Sequence, residues 1–248
     1  MRKFGLIGYP LGHSFSRNYF NDKFLQEKIT DCSYSNFELK DIHQLKEVLA
    51  DPELMGLNVT IPYKQSVIAY LQELDPVVRQ TGACNCIRIR NRQLQGFNTD
   101  VTGFWKSLKE KWKPEDRKAL ILGTGGSSKA VAYVLNKMDI STLFVSRRRT
   151  DAPDNLLYEE ITEEIMRTHT LIINCTPLGM YPEINSSPPI PYEYLTAKHY
   201  LFDLIYNPAQ TEFLRKGEFA GARVKNGSDM LKIQADASWE IWNETSGT

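Results

Sequence analysis

The feature that most constrains this chain is a single turn. Leu120-Ile121-Leu122 runs directly into Gly123-Thr124-Gly125-Gly126-Ser127-Ser128-Lys129-Ala130, and helical spacing continues to Lys137. A short apolar strand, then glycines, then a helix brings bare backbone N–H groups against an anion at the positive end of the helix. Ser128 stands where the G-x-G-x-x-G pattern has its third glycine, so an ordinary tight turn is the competing reading. The flanking strand and helix favour a dinucleotide site. About 20 residues on, the next strand, Leu143-Phe144-Val145, ends in Ser146-Arg147-Arg148-Arg149, and no acidic residue follows before Asp151. An acidic side chain there would bond a ribose 2′-hydroxyl, whereas a guanidinium attracts a 2′-phosphate. The pattern predicts NADP rather than NAD, with a solvated basic loop as the bland alternative.

Strands and helices alternate along the whole chain. In the first half, strands are predicted at Lys3–Gly8, Ser33–Leu39 and Leu54–Ile61, and helices at Asn18–Lys28, Ile42–Leu49 and Gln65–Leu74, the last stopped by Asp75-Pro76. Ile87–Ile89 and Leu94–Phe97 flank a turn at Asn91-Arg92 and read as a hairpin. A helix at Gly103–Lys111 and a charged, linker-like KWKPEDRK lead into a second series. That series has strands Ala119–Leu122, Thr142–Val145, Leu171–Asn174 and Tyr200–Asp203, with helices Ser127–Lys137 and Glu159–Arg167. An amphipathic segment, Asp229–Trp242, closes the chain. Such alternation indicates an α/β fold with largely parallel sheets.

The 248 residues carry 30 Lys+Arg against 30 Asp+Glu. A neutral chain exerts no long-range pull on a polyanion, which argues against nucleic acid or an acidic membrane as partner. No window approaches the roughly 20 apolar residues of a membrane span, and the apolar run after Met1 is too short for a signal peptide, so a cytoplasmic location is expected. Cys32, Cys84, Cys86 and Cys175 lack zinc-ligand spacing and read as free thiols. The histidines (13, 43, 169 and 199) are scattered, so no metal site is expected.

Four polar segments in the first half are unusual for a purely structural domain: Gly12–Ser16, Gly56–Lys64, Gly82–Asn85 and Gly96–Asp100. Each sets hydroxyls, amides or a charge beside a predicted strand or turn, and open α/β sheets bind ligands at the carboxyl ends of their strands. Singly these read as helix caps and Asx turns. Together they would line a site for a small polyhydroxylated carboxylate.

These residues carry a resemblance. S-x-S at Ser14 and Ser16, N-V-T-I-P-x-K ending at Lys64, G-A-x-N ending at Asn85 and N-T-D ending at Asp100 are similar to motifs of the quinate/shikimate dehydrogenase family. So are Gly123–Ala130, N-C-T-P-L-G-M from Asn174, D-L-I-Y from Asp203, and N-G-x-x-M-L-x-x-Q ending at Gln234, in order along nearly the whole chain. The resemblance implies reversible NADPH-dependent reduction of 3-dehydroshikimate to shikimate, towards aromatic amino acids. It implies a discontinuous substrate domain (1–100 and 231–248) and a Rossmann-like NADP-binding domain (101–230) with a cleft between them. Lys64 and Asp100 would be catalytic. Ser14, Ser16, Asn58, Thr60, Asn85, Tyr206 and Gln234 would contact substrate. Gly123, Thr124, Gly125, Gly126, Ser127, Ser146, Arg147, Arg148, Leu204, Gly227 and Met230 would line the cofactor site. Departures from common family spellings include Cys84 and Cys86 around Asn85, Ser146 for Asn, Lys129 for Arg, and Ser228-Asp229 before Met230. Two alternatives stay open: a broader quinate/shikimate dehydrogenase that also uses NAD, and a non-catalytic ligand sensor on the same fold. A monomer or a homodimer fits the sequence equally.

Overall fold

The computed structural model describes residues 1–12, 14–149 and 154–244. His13, Asp151 and the last four residues of the expected C-terminal return lie outside them. The chain divides into two compact units: Met1–Thr99 with the segment from Gln234 onward, and Asp100–Ile233.

The first unit begins with β1 (Arg2–Gly8), α1 (Phe15–Gln26), β2 (Cys32–Glu38), and a 3-10 turn at Ile42–Gln44 that runs into α2 (Leu45–Val48). It continues with β3 (Leu54–Val59), a 3-10 segment at Ser66–Tyr70, β4 (Glu73–Leu74), α3 (Pro76–Thr81), β5 (Cys86–Arg90) and β6 (Gln93–Phe97). The six strands form one sheet in the order β2-β1-β3-β5-β6-β4. The hairpin turns at Asn91 and Arg92, with φ of 49° and 62°, the paired left-handed residues that a two-residue hairpin connection needs.

The stretch expected as one helix, Gln65–Leu74, is instead the 3-10 segment followed by β4, which pairs in parallel with β6. Edge pairing there outweighs local helical spacing. Asp75-Pro76 starts a helix rather than stopping one. The Asp75 carboxylate accepts from the Val77 N–H at 2.8 Å, and Pro76 occupies the first turn, where its missing N–H has no helical partner to lose.

Side chains alternate across this sheet as period-2 geometry requires. Ile7, Leu57, Val59, Ile87 and Ile89 face one core with Leu45 and Val67. Phe4, Leu6 and Cys86 face the other, with Phe20, Phe24, Tyr34 and Trp242. The Trp242 ring stacks on Phe4 with centroids 4.8 Å apart, and its indole N–H donates to the Ile87 carbonyl at 2.9 Å.

In the second unit α4 (Asp100–Leu108), β7 (Lys118–Leu122), α5 (Gly126–Lys137) and β8 (Ser141–Ser146) come first. Then follow β9 (Asn155–Leu157), α6 (Glu163–Thr168), β10 (Leu171–Asn174), β11 (Tyr200–Asp203), α7 (Glu212–Phe219) and β12 (Arg223–Lys225). Helix α8 (Ser228–Asn243) begins in this unit and ends in the first. The sheet order is β12-β11-β10-β7-β8-β9, with parallel neighbours throughout. Renumbered from its first strand, this is 6-5-4-1-2-3, the doubly wound dinucleotide-binding order, which reverses direction between β7 and β10.

Both faces of this sheet are covered, which is why its central strands are unbroken apolar runs. Ala119, Ile121, Leu171, Ile173, Tyr200 and Phe202 face Phe104, Val131 and Leu135. Leu120, Ile172 and Leu201 face Met166 and Phe213. Helix α7 and strands β9 and β12 have weaker sequence signals: β9 and β12 are three residues each, too short to show a period. Among the described residues no helix is long and apolar enough to cross a membrane.

At the ends of β10 and β11 lies a buried carboxylate. Asp203 accepts from the Asn174 amide at 3.0 Å, the Ile205 N–H at 3.0 Å and the Thr211 hydroxyl at 2.6 Å. These neutral donors stabilise the anion, yet burial dominates and pushes its pKa up to about 7. A raised folded-state value means that the folded protein keeps a proton the unfolded chain gives up near the ordinary carboxyl range. The stability this group contributes is therefore complete below about pH 4 and is lost as pH rises through about 7.

Two outcomes are expected. Asp203→Asn, an analogue of the protonated acid, should gain stability relative to the parent on going from pH 5 to pH 8, by an amount of the order of a few kcal/mol. Denaturant melts at the two pH values measure this, and a constant difference would refute it. At Gly56, an added Cβ would sit 2.5 Å from Trp242 Cδ1, and the indole is held by its own hydrogen bond. Gly56→Ala should therefore lower stability by about 1–3 kcal/mol, read from a shifted denaturation midpoint.

Candidate functional site

Strand β5 decides how the polar segments of the first unit meet. It runs antiparallel to β3 and β6, pairing Asn58 with Cys86 and Cys86 with Phe97. Its first residues therefore lie at the same edge as the carboxyl ends of β3 and β6. Gly82–Asn85, which precedes its strand, joins Asn58–Lys64 and Asn98-Thr99, which close theirs.

On the face that Asn58 shares with Gly56, a buried chain of polar side chains forms. Asn58 Oδ1 accepts from the Tyr34 hydroxyl at 2.8 Å, and its Nδ2 donates to Ser238 Oγ at 2.9 Å and to the Asn85 carbonyl at 3.4 Å. Asn85 Oδ1 accepts from the Thr99 N–H at 2.7 Å, while Nδ2 donates to Thr99 Oγ1 at 3.0 Å and to Gln234 Oε1 at 3.3 Å. Ser238 Oγ lies 3.2 Å from Thr99 Oγ1 and donates to the Gln234 carbonyl at 2.9 Å. Ser16 bonds the Tyr34 phenol, whose pKa burial raises well above its usual value.

Ser14 behaves differently. It occupies the N-cap position of α1, yet its side chain makes no capping bond, and its buried Oγ has no hydrogen-bond partner among the described residues. Thr60 and Lys64 are half-buried on the turn after β3. The Lys64 carbonyl accepts from the Cys84 N–H at 2.7 Å, which ties that turn to Gly82–Asn85.

In the second unit, Asp100 is buried in the first turn of α4, where the helix dipole favours a carboxylate. All strands of this sheet end at one edge. There Gly123, at φ +102°, is packed so close to Cys175 and Thr176 that a Cβ would lie 3.1 Å from Thr176 Cγ2. Gly125 caps α5, and a Cβ on it would meet nothing within 4 Å. Glycines with exposed Thr124 beside them thus leave the amino end of a 12-residue helix open, at the point where strand order reverses. These features suit a pyrophosphate.

The arginines separate in role. Ser146 donates to the Arg148 carbonyl and accepts from Asn155 Nδ2 at 2.9 Å, so its hydroxyl shapes the turn. Arg149 pairs with Glu160, while Arg147 and Arg148 stand exposed. Further along the edge, Gly227 approaches the Leu204 carbonyl so closely that no side chain fits, and its N–H donates to the Ile205 carbonyl at 3.0 Å. Met230 is part of the apolar core that Leu204 packs against. Half-buried Tyr206 follows Ile205 on the segment that Asp203 anchors. The departure at Asp229 is compensated: its carboxylate pairs with Lys225 Nζ at 2.7 Å, and that pairing lowers its pKa.

Sequence reading assigned no role to Tyr34, Thr99, Ser238, Asn174 or Asp203. Ser238 was within reach, because Gln234, Ser238 and Trp242 recur every four residues and so share one helix face. Tyr34 gave no such signal, since an isolated tyrosine in a strand reads as core.

A family profile described as the shikimate dehydrogenase substrate binding domain matches residues 6–87. Shikimate dehydrogenase (NADP(+)) of Caldicellulosiruptor bescii is 35% identical over 98% of this chain and 89% of its own length. The crystal structure of shikimate dehydrogenase 1 from Peptoclostridium difficile superposes with a TM-score of 0.84 at 35% identity, covering 100% of this chain and 94% of that one. That of shikimate 5-dehydrogenase from Thermus thermophilus, in complex with NADP(H) and shikimate, gives 0.86 at 29% identity over 98% and 94%. At 35% identity over 98% of its length to a shikimate dehydrogenase (NADP(+)), the chain belongs to the shikimate dehydrogenase family.

Proposed function

We propose that this protein is a shikimate dehydrogenase: it reduces the ketone of 3-dehydroshikimate to the alcohol of shikimate with NADPH, and catalyses the reverse oxidation with NADP+. The observation that carries the reading is the Ser14 hydroxyl, desolvated and unbonded at the head of α1 among the described residues. Such a group is unfavourable by about 1–3 kcal/mol. A substrate carboxylate set against it, beside Ser16 and at the positive end of a helix, removes that penalty.

In this reading 1–100 and 231–248 form the substrate domain and 101–230 the NADP domain. Bound NADPH supplies the hydride that reduces the carbonyl carbon. Lys64 stabilises the negative charge that develops on the carbonyl oxygen and gives that oxygen a proton from Nζ. In the oxidative direction the neutral amine takes the proton back. Asp100 accepts a hydrogen bond from a substrate hydroxyl and sets the orientation of the ring. Asn58, Thr60, Asn85, Tyr206 and Gln234 hold the remaining polar groups of the substrate. Backbone N–H groups of Gly123–Ser127 would receive the pyrophosphate, Arg147 and Arg148 the 2′-phosphate, with Ser146 shaping their turn, and Leu204, Gly227 and Met230 would line the rest of the cofactor site. The four free thiols support a reducing compartment, the cytoplasm. The enzyme acts as a monomer or a homodimer.

Three measurements test this. Absorbance at the NADPH band should rise with shikimate and NADP+ and much less with quinate or with NAD+. Comparable rates would replace the proposal by a broader quinate/shikimate dehydrogenase, and no turnover would replace it by a ligand sensor. Lys64→Ala should reduce kcat by about 10²–10⁴-fold while NADPH binding stays within about twofold; an unchanged kcat removes Lys64 from the chemistry. Arg147→Ala should raise the KM for NADPH about tenfold, one phosphate contact being of the order of 1.4 kcal/mol, and leave NADH unaffected. Equal losses for both cofactors would contradict a 2′-phosphate contact.

A further inference from the structure

The orientation of the Asn58 amide is not a matter of choice. The Asn85 carbonyl 3.4 Å away can only accept, so the Asn58 nitrogen must face it. That nitrogen's second hydrogen goes to Ser238 Oγ at 2.9 Å. Both donors are then committed, and the only capacity left on this side chain is at Oδ1, which takes one hydrogen bond from Tyr34 at 2.8 Å. Tyr34 itself cannot swing away. Its ring is stacked on Phe20 with centroids 4.5 Å apart and planes 14° from parallel, and it is buried. Ser238 is likewise fully buried on α8, bonded to the backbone of Gln234 one turn earlier. Two hydroxyls on separate elements, β2 and α8, thus hold one amide from opposite ends.

We propose that Tyr34 and Ser238 are positioning residues. They lock Asn58 so that it presents an oxygen, never an N–H, to the substrate, and thereby set the affinity for a ligand hydroxyl at that point. The inference rests on the substrate reading given above and deepens it: the group opposite Asn58 is a hydrogen-bond donor. Neither residue touches the substrate, and neither takes part in proton or hydride movement. Their effect falls on KM and leaves kcat nearly unchanged.

The test is a double-mutant cycle on the intact enzyme, with shikimate oxidation by NADP+ as the assay. Tyr34→Phe retains the stacked ring and removes only the hydroxyl. It should raise the KM for shikimate about tenfold, with kcat and the KM for NADP+ changed less than about twofold. Ser238→Ala should act in the same direction. In an Asn58→Ala background, where no amide remains to be held, Tyr34→Phe should have no further effect on KM. A purely structural tyrosine would lower thermal stability equally in both backgrounds and would not show that loss of effect.

If Asn58→Ala raises KM but Tyr34→Phe and Ser238→Ala do not, or if the effects of Tyr34→Phe and Asn58→Ala simply add, the positioning role is overturned while the substrate reading stands. If Asn58→Ala itself leaves KM unchanged, the substrate contact at Asn58 falls and this inference with it. Absence of shikimate turnover by the parent protein overturns both. Should either single variant fold poorly by circular dichroism, calorimetric titration of shikimate onto the other decides the same question by an affinity lowered about tenfold or left as it was.

Discussion

A primary amide removed from water must have its N–H and C=O capacity met by the protein or by a ligand, because each unmet group is unfavourable by about 1–3 kcal/mol. Asn58 and Asn85 are both buried at a sheet edge, and their satisfaction governs the first unit. Strand β5 must run antiparallel so that Asn85, just before it, lies beside the end of β3. The last part of α8 must cross this same face so that Gln234 and Ser238 reach the two amides. The aromatic packing of Phe4, Phe20, Tyr34 and Trp242 holds that helix in register. The polar site and the apolar core are thus two consequences of one placement of a helix on a sheet.

The second unit obeys a different rule. Its strands are parallel, so every carboxyl end, and every loop able to carry chemistry, lies at one edge. Glycines are used there for two reasons: Gly123 holds a φ of +102°, and Gly227 lies against the backbone of Leu204. Gly125 by contrast faces open space, consistent with a helix terminus kept bare for an anion. The Asp203 clasp ties β10 and β11 to the start of α7 through Asn174 and Thr211. It fixes the segments on which Leu204 and Tyr206 lie, with a carboxyl group that burial leaves near neutrality.

Charge is distributed with the same economy. Of the three consecutive arginines after β8, Arg149 is held by Glu160, and the buried Ser146 hydroxyl shapes the turn that exposes the other two. The acidic residue closest in sequence to Met230, Asp229, shares Lys225 on the preceding strand with Glu110. The tuning of this edge therefore depends on ion pairs that a list of basic and acidic positions does not disclose.

Local chemistry was sufficient to read the strand–glycine–helix turn and the hairpin at Asn91-Arg92, since each depends on residues adjacent in the chain. It was insufficient wherever a partner came from far away. Gln65–Leu74 has helical spacing but yields to pairing with β6, and Asp75-Pro76 caps a helix instead of ending one, because the preceding backbone is already committed to the sheet. Tyr34 and Ser238 are silent in sequence because their meaning lies in an amide 24 and 180 positions away. Residue type and spacing determined which groups are able to bind phosphate, hydroxyl or proton. Only tertiary structure decided which lone pairs and hydrogens remain after burial, because that depends on which distant donor reaches each acceptor first.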